Sequence, residues 1–311
     1  MSNNILIIGL GSIARKHIQA LRLIYKDVNI YALRSSTNAL IEEGIINIYS
    51  KEEIPLNINF GIISSPTNRH LDALELLLEK RIPAFIEKPI YHKLDECYPY
   101  LKSIAEVGLF NYVACNLRFL NSLKFLKNYI KNEKEKINEV NVYCGSYMPA
   151  WRGDENIKNY SAFESLGGGV HLDLFHEIDY CYWLFGQPIT NRNILRSAST
   201  IHIDAIDYAN INLIYENFTC HLTLNYYRKT PKRTIEVIFE NHIIEVDLFS
   251  NSVSNNNGDI LFKDSEQKVI NTYYDQMKFF TEALALNQLP ENNFQESLKI
   301  LELCLTNNET F

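Results

Sequence analysis

The chain has 311 residues, 46% apolar and 22% charged, with 19 Tyr and 16 Phe spread along it and a formal charge of -7. That length exceeds what one core usually organises and implies two domains, while the apolar and aromatic content excludes global disorder. The acidic balance opposes the basic surface that neutralises phosphates, so no nucleic-acid partner is expected. No apolar run approaches the ~20 residues that cross a bilayer, and no membrane role is expected either. Met1 to Asn4 carry no basic side chain, and no small-residue cleavage site follows, so the N-terminus reads as the start of the fold. Cys97, Cys115, Cys144, Cys181, Cys220 and Cys304 stand far apart without a Cys-x-x-Cys pair. They suit buried thiols in the cytoplasm better than a zinc site or a disulfide framework, and no metal is expected.

Residues 1–117 alternate strand-like runs with segments of helical period, the pattern of parallel strands joined by crossover helices. Strands are expected over 5–8, 28–33, 60–64, 84–87 and 112–116. Ile13, His17, Ile18, Leu21 and Ile24 mark one face of the first helix, and further helices are expected over 68–80 and 94–106. This half reads as a doubly wound α/β domain. From 118 to 311 the pattern is α+β: a helix over 119–131, a solvated charge run over 131–136 and a strand over 139–147. A polar segment over 149–166, Gly167-Gly168-Gly169 and a helix over 170–185 come next. Strands near 193–200, 206–215, 218–227, 234–240 and 242–249, joined by short turns, imply a large and mostly antiparallel open sheet. Residues 251–259 read as a polar loop, and closing helices are expected within about 272–305. No internal repeat is present.

Gly9-Leu10-Gly11-Ser12-Ile13-Ala14 follows the first strand and opens the first helix. Glycines there permit a tight turn and let a pyrophosphate approach backbone N–H groups at the positive helix end. An acidic residue at the end of the second strand would read the ribose 2'-hydroxyl of NAD. That end is Leu33-Arg34-Ser35-Ser36, with Arg34 standing 20 residues after Ala14. Arg34, with Ser35 or Ser36, suits a 2'-phosphate, which favours NADP over NAD; a solvated arginine with NAD is the plain alternative. Ser65-Pro66-Thr67-Asn68-Arg69-His70 and Glu87-Lys88-Pro89 close the next two strands, at the carboxyl ends where open α/β sheets bind ligands. Lys88 is a surface lysine at a turn exit, or an ammonium that polarises an oxygen beside the nicotinamide.

Together with Asn116-Leu117-Arg118-Phe119, and with Gly167-Gly168-Gly169 followed by Asp173, His176 and Asp179, these motifs make the chain resemble the Gfo/Idh/MocA oxidoreductases over essentially its whole length. The family includes the glucose-fructose and inositol dehydrogenase-like enzymes. The resemblance implies an N-terminal Rossmann domain over 1–117. It implies a substrate-binding and oligomerisation domain over 118–311, whose sheet forms a homodimer or tetramer interface, and hydride transfer at a sugar or cyclitol carbon. It implies Lys88, Asp173 and His176 as the catalytic set. The cofactor set is then Gly9, Gly11, Ser12, Ile13, Arg34, Ser35, Ser65, Pro66, Thr67, His70, Glu87, Lys88 and Asn116. Asp173 precedes His176 by three residues, where many relatives have four.

Asp173, His176 and Asp179 follow one another at three-residue steps, so on a single helix neighbouring members share a face and one carboxylate can orient the imidazole. Histidine titrates near neutrality and can take a hydroxyl proton as hydride leaves the same carbon. Asp179 reads as a helix anchor, His171 as a cleft residue or a cap, and Arg118 as support for the cleft. Tyr147-Met148-Pro149-Ala150-Trp151-Arg152 and Tyr160 resemble a segment of family members encoded with bacterial surface-sugar pathways. Trp151 suits stacking on a sugar and Arg152 holding a carboxylate or phosphate; a Trp buried at the domain junction with a surface Arg is the alternative. Arg228 and Arg233 are further anion-binding candidates, or solvated. The function expected is an NAD(P)-dependent oxidoreductase acting on a secondary alcohol or ketone of a sugar or nucleotide-sugar, in bacterial surface-glycan synthesis. An NAD-dependent glycoside hydrolase using transient oxidation and a non-catalytic NAD(P)-binding sensor are the rivals.

Overall fold

Ile5, Leu6 and Ile7 are fully buried along β1 (Asn3–Ile8), a continuous apolar run because a parallel strand is covered on both faces. The computed structural model describes residues 3–36, 38, 41–151 and 160–306. After β1 come α1 (Ser12–Ile24), β2 (Val28–Leu33), β3 (Ile46–Ile48), β4 (Phe60–Ile63), α2 (His70–Glu79), β5 (Ala84–Ile86), α3 (Tyr98–Val107) and β6 (Asn111–Val113). The six strands form one parallel sheet in the order β3-β2-β1-β4-β5-β6. The order reverses between β1 and β4, the switch point where doubly wound sheets open a ligand crevice. Helix α3 begins later than the expected 94 because Pro99 suits a first helical turn, where its missing N–H costs nothing. β3 went unexpected: it is three residues long and only Ile48 is buried.

The second unit contains α4 (Asn121–Asn132), β7 (Ile137–Tyr147), α5 (Val170–Asp173), α6 (Phe175–Phe185), β8 (Thr190–Arg196), β9 (Tyr208–Ile214), β10 (Thr219–Asn225), β11 (Tyr227–Phe239), β12 (Ile243–Asp247), β13 (Ser252–Asn255) and β14 (Ile260–Lys263). Its eight strands run in the order β14-β13-β12-β11-β7-β10-β9-β8. Only the β7/β10 pair is parallel. Cys220, Leu222 and Leu224 face the core from β10 while Thr219, His221 and Thr223 alternate onto the other face, the signature of a sheet covered on one side. Two expectations are corrected here. The loop expected over 251–259 contains β13, paired with β12 from Asp247↔Ser252 to Ile244↔Asn255. The helix expected over 170–185 is broken at Leu174 (φ -94, ψ 32) into α5 and α6.

The chain then enters α7 (Val269–Ala285) and α8 (Phe294–Leu305). Contacts divide it at Asn116/Leu117, Val269/Ile270 and Lys299/Ile300, so Ile270–Lys299 joins the first unit. Most of the closing helical segment, Ile270–Lys299, thus packs with the first unit rather than with the residues that precede it. The reason is apolar burial: Met277, Phe280 and Ala283 complete the core formed by Ile5, Ile7, Phe60, Phe85 and Phe110. Phe280 meets Phe60 and Phe85 edge-on at 4.9 and 5.2 Å between ring centroids, a favoured aromatic geometry.

All six cysteines are buried, and none is in a disulfide. Among the described residues no helix is long and apolar enough to cross a membrane, and no group of three or more His, Cys, Asp or Glu converges to hold a metal ion. The return of the chain to the first core is tested by a neighbouring pair. Phe280→Ala is expected to lower the unfolding free energy by roughly 3–5 kcal/mol. Phe279→Ala, one residue away and 42% exposed, should cost about 1 kcal/mol or less; denaturant unfolding of both variants measures the contrast.

Candidate active site

In the first unit, Gly9 has a positive φ of 95°, and a Cβ there would lie 2.3 Å from the Ser65 nitrogen. The turn after β1 thus rests directly on the backbone after β4, and the Ser64 hydroxyl fastens it by donating to the Gly9 carbonyl at 2.8 Å. Gly11 differs: it is the N-cap of α1, and among the described residues beyond its chain neighbours a Cβ there would meet no atom within 4 Å. The first turn of α1, where Ser12 is exposed and Ile13 half-buried, has no acidic side chain and no side-chain cap. Open space beside unsatisfied N–H groups at a positive helix end is what a pyrophosphate requires, so these residues fit a dinucleotide. Ser65 adds a buried hydroxyl with no partner among the described residues.

Two buried histidines tie this turn to its neighbours. His70 has Nε2 against the Ser65 carbonyl and Nδ1 against the Pro89 carbonyl, both at 2.9 Å, and burial pushes its pKa down. Expected as a cofactor contact, it is instead a strap between the loops after β4 and β5, at 2% exposure. His17, on α1, places Nε2 2.6 Å from Glu87 Oε1, and the other Glu87 oxygen accepts the Lys88 N–H at 3.3 Å. Glu87 therefore orients the backbone of Lys88 from inside the fold, and Lys88 itself is half-buried. Pro66 is exposed and Thr67 buried beside them. The Asn116 amide donates to Thr272 Oγ1 at 2.7 Å, which anchors α7. Arg34 donates from its backbone to the Ile48 carbonyl at 2.9 Å and from Nη1 to Asn47 at 3.2 Å; Ser35 and Ser36 are exposed.

In the second unit the triglycine serves close packing. A Cβ at Gly168 would lie 2.5–2.7 Å from the carbonyls of Tyr160, Ser161 and Phe163, so only glycine lets that turn approach. The approach brings the Tyr160 hydroxyl to Asp173 Oδ1 at 3.2 Å, while Tyr226 donates to Asp173 Oδ2 at 2.5 Å. Burial, and then the Asp173 charge, push the Tyr226 phenol well up, so it stays a donor. Asp173 and His176 do not share the single helix expected of them: Asp173 ends α5, and half-buried His176 lies on α6 beyond the break at Leu174. Sequence reasoning missed Tyr226, whose place beside Asp173 depends on β10 and β11 pairing with β7.

Trp151 is 40% exposed rather than buried. Its indole donates to Ser146 Oγ at 2.9 Å and its ring meets Tyr226 edge-on; Arg152 lies outside the described residues. Asp179 is indeed an anchor, accepting two hydrogen bonds from Arg118 at 2.9 and 2.7 Å. Arg233 is no anion site, because it is paired with buried Glu177 at 2.6 Å. Arg228 donates to the Thr230 carbonyl. His171 neither caps nor opens to a cleft: it is buried, with Nδ1 unpartnered among the described residues, and burial lowers its pKa to about 4.

The two glycines give opposite expectations. Gly9→Ala should lower the melting temperature because it drives backbone against backbone, whereas Gly11→Val should melt like the parent yet lose dinucleotide binding in fluorescence titration. His171 gives a pH dependence. Its pKa falls from 6.5 unfolded to about 4 folded, so the unfolded chain binds the extra proton and stability is lost as pH falls from 6.5 toward 4. Over that span the parent should lose up to roughly 3 kcal/mol more than His171→Gln, from chemical unfolding at each pH.

Comparison with known proteins agrees with this geometry. Residues 3–114 match the GFO/IDH/MocA oxidoreductase family, NAD-binding Rossmann fold, and residues 132–245 match the GFO/IDH/MocA C-terminal domain. An uncharacterized oxidoreductase, YrbE of Bacillus subtilis (strain 168), is 24% identical over 223 residues, which are 68% of this chain and 63% of that relative. The matched stretch is thus under two-thirds of the relative's length. An oxidoreductase from Agrobacterium radiobacter, solved with NAD+, L-tartaric acid and magnesium, superposes with a TM-score of 0.82 at 15% identity, covering 99% of this chain and 95% of that one. UDP-N-acetylglucosamine 3-dehydrogenase GnnA from Acidithiobacillus ferrooxidans superposes with a TM-score of 0.77 at 16% identity, covering 98% and 96%. Those superpositions show the fold, and the two family matches decide the relationship: the chain belongs to the GFO/IDH/MocA oxidoreductases, with an NAD-binding Rossmann domain at its N-terminal end.

Proposed function

We propose that the chain moves hydride to or from a secondary alcohol or ketone of a sugar, in particular a nucleotide-linked sugar of surface-glycan synthesis, with NADP(H) favoured over NAD(H). The observation that carries the reading is the open position at Gly11, beside an uncapped helix N-terminus at the β1/β4 switch point. Arg34 at the end of β2 supports the 2'-phosphate form, since a guanidinium there complements a dianion and no carboxylate follows the strand directly. Exposed Trp151 and Tyr160 beside Asp173 support a sugar, because aromatic faces stack on its apolar face. A structural neighbour named as a UDP-N-acetylglucosamine 3-dehydrogenase supports the nucleotide-linked class.

Bound, the dinucleotide supplies or accepts hydride at C4 of its nicotinamide. Lys88, whose backbone is fixed through Glu87 and His17, polarises the reacting oxygen. His176 exchanges the hydroxyl proton, and Asp173, held by Tyr160 and Tyr226, orients its imidazole. The polar face of the eight-stranded sheet, with Thr219, His221 and Thr223, joins a second copy in a dimer or tetramer.

Absorbance at 340 nm with NADPH or NADP and a panel of UDP-sugars tests the reading. Lys88→Met is expected to lower kcat about 100-fold or more while dinucleotide affinity stays within about threefold. Turnover undiminished in that variant, or dinucleotide binding without hydride transfer to or from any sugar, would count against it.

A further inference from the structure

One carboxylate in the first unit is surrounded by arginines. Glu42 accepts from Arg15 Nε at 3.2 Å on each oxygen and from Arg15 Nη2 at 2.6 Å on Oε1. Arg15 lies in the first turn of α1, directly after Ala14 of the glycine turn. Arg34, the residue after β2, and Arg22 also act on the same carboxyl. The hydrogen bonds from Arg15, then the charges of Arg15, Arg34 and Arg22, hold Glu42 below the usual carboxylate range. Arg22 further donates to the carbonyls of Glu43 at 3.2 Å and Gly44 at 3.5 Å, tying this loop to the helix.

The position gives the cluster its meaning. In a doubly wound sheet with β1 and β2 adjacent, the adenosine ribose of a dinucleotide lies at the carboxyl end of β2. Arg34 is at that end, and Arg15 is on the helix that begins beneath the pyrophosphate. The Arg34 guanidinium is held by Asn47 at 3.2 Å, and the carboxylate that Arg15 binds lies within reach of its charge. That pair is open to exchange, because the Arg15 side chain is 54% exposed and the Glu42 side chain 26%, and exposed ion pairs hold weakly against a competing ion. Nor does Glu42 have the place of a ribose-reading carboxylate: Arg34 has that place at the strand end, and Glu42 comes eight residues later with both oxygens on Arg15.

We propose that Glu42 is an internal competitor for the cofactor's 2'-phosphate, occupying the Arg15–Arg34 anion site until NADP displaces it, and so sets the preference between NADP and NAD. The inference rests on the dinucleotide reading above. When the phosphate enters, Arg15 exchanges the Glu42 carboxylate for the dianionic phosphate, and Glu42 turns to solvent. The carboxylate thus acts as a repulsive element, lowering affinity for the phosphorylated cofactor without touching the unphosphorylated one.

Calorimetric titration of the 311-residue chain with NADPH, NADH, 2',5'-ADP and 5'-AMP tests this, for the parent, Glu42→Gln and Arg34→Ala, with melting curves to establish that each variant is folded. Glu42→Gln is expected to tighten NADPH and 2',5'-ADP about tenfold and to leave NADH and 5'-AMP within about twofold. Arg34→Ala should weaken only the two 2'-phosphorylated ligands. Weaker NADH and 5'-AMP binding in Glu42→Gln would overturn the proposal, since the carboxylate would then be reading ribose hydroxyls. Unchanged NADPH and 2',5'-ADP binding would overturn it as well. Parent protein that binds neither NADPH nor NADH would remove the dinucleotide reading together with the inference, whereas normal NADH binding with NADPH indifferent to Glu42→Gln would remove the inference alone.

Discussion

The contact of Gly9 with the backbone of Ser65 is the constraint around which the N-terminal unit is built. Gly9 follows β1 and Ser65 follows β4, the adjacent strands between which the sheet order reverses. A side chain at Gly9 would push the two strand ends apart and close the crevice that such a reversal creates. With them in contact, α1 starts with its unsatisfied N–H groups facing open space at Gly11. The buried His70 and the His17–Glu87 pair then extend the same platform to the loop after β5. Three strand ends are held by backbone contact and buried hydrogen bonds, so Lys88 inherits its backbone position from groups that never meet solvent.

The second unit follows a comparable logic with different parts. Gly168 lets the carbonyls of Tyr160, Ser161 and Phe163 approach the start of α5, and that approach gives Asp173 one of its two phenol donors. The other, Tyr226, is fully buried and arrives from the β10–β11 connection. Two phenol donors fix the direction of that carboxylate, one on each oxygen. Arg118 and Arg233, which carry cations into the same unit, are neutralised by Asp179 and Glu177 instead. The motif of three acidic and imidazole groups therefore separates into an anchor, Asp179, and two residues, Asp173 and His176, on either side of the break at Leu174.

What the sequence made legible was whatever local pattern specifies. The continuous apolar run of β1, the face of α1 and the glycine turn between them are local, and each has the expected place. The alternation along β9 and β10 is local too. β3 and β13 were missed because runs of three or four residues, Ile46-Asn47-Ile48 and the mostly polar Ser252–Asn255, are too short to carry a period, and both are strands only by virtue of their neighbours. Nothing in Leu172-Asp173-Leu174-Phe175 opposes a helix by propensity, so the break there reflects tertiary packing. The roles of Tyr226, Glu42 and the Ile270–Lys299 segment depend on contacts between residues far apart in the chain, which no window of sequence contains.

Hydrogen exchange of backbone amides, followed with and without a saturating reduced dinucleotide, addresses the central claim most directly. The platform built on Gly9 and Ser65 requires protection to appear at the amides of Ser12, Ile13 and Ser65, where a pyrophosphate would take up N–H groups that the fold leaves open. Exchange at those three positions that is unchanged by NADPH and by NADH would contradict the account.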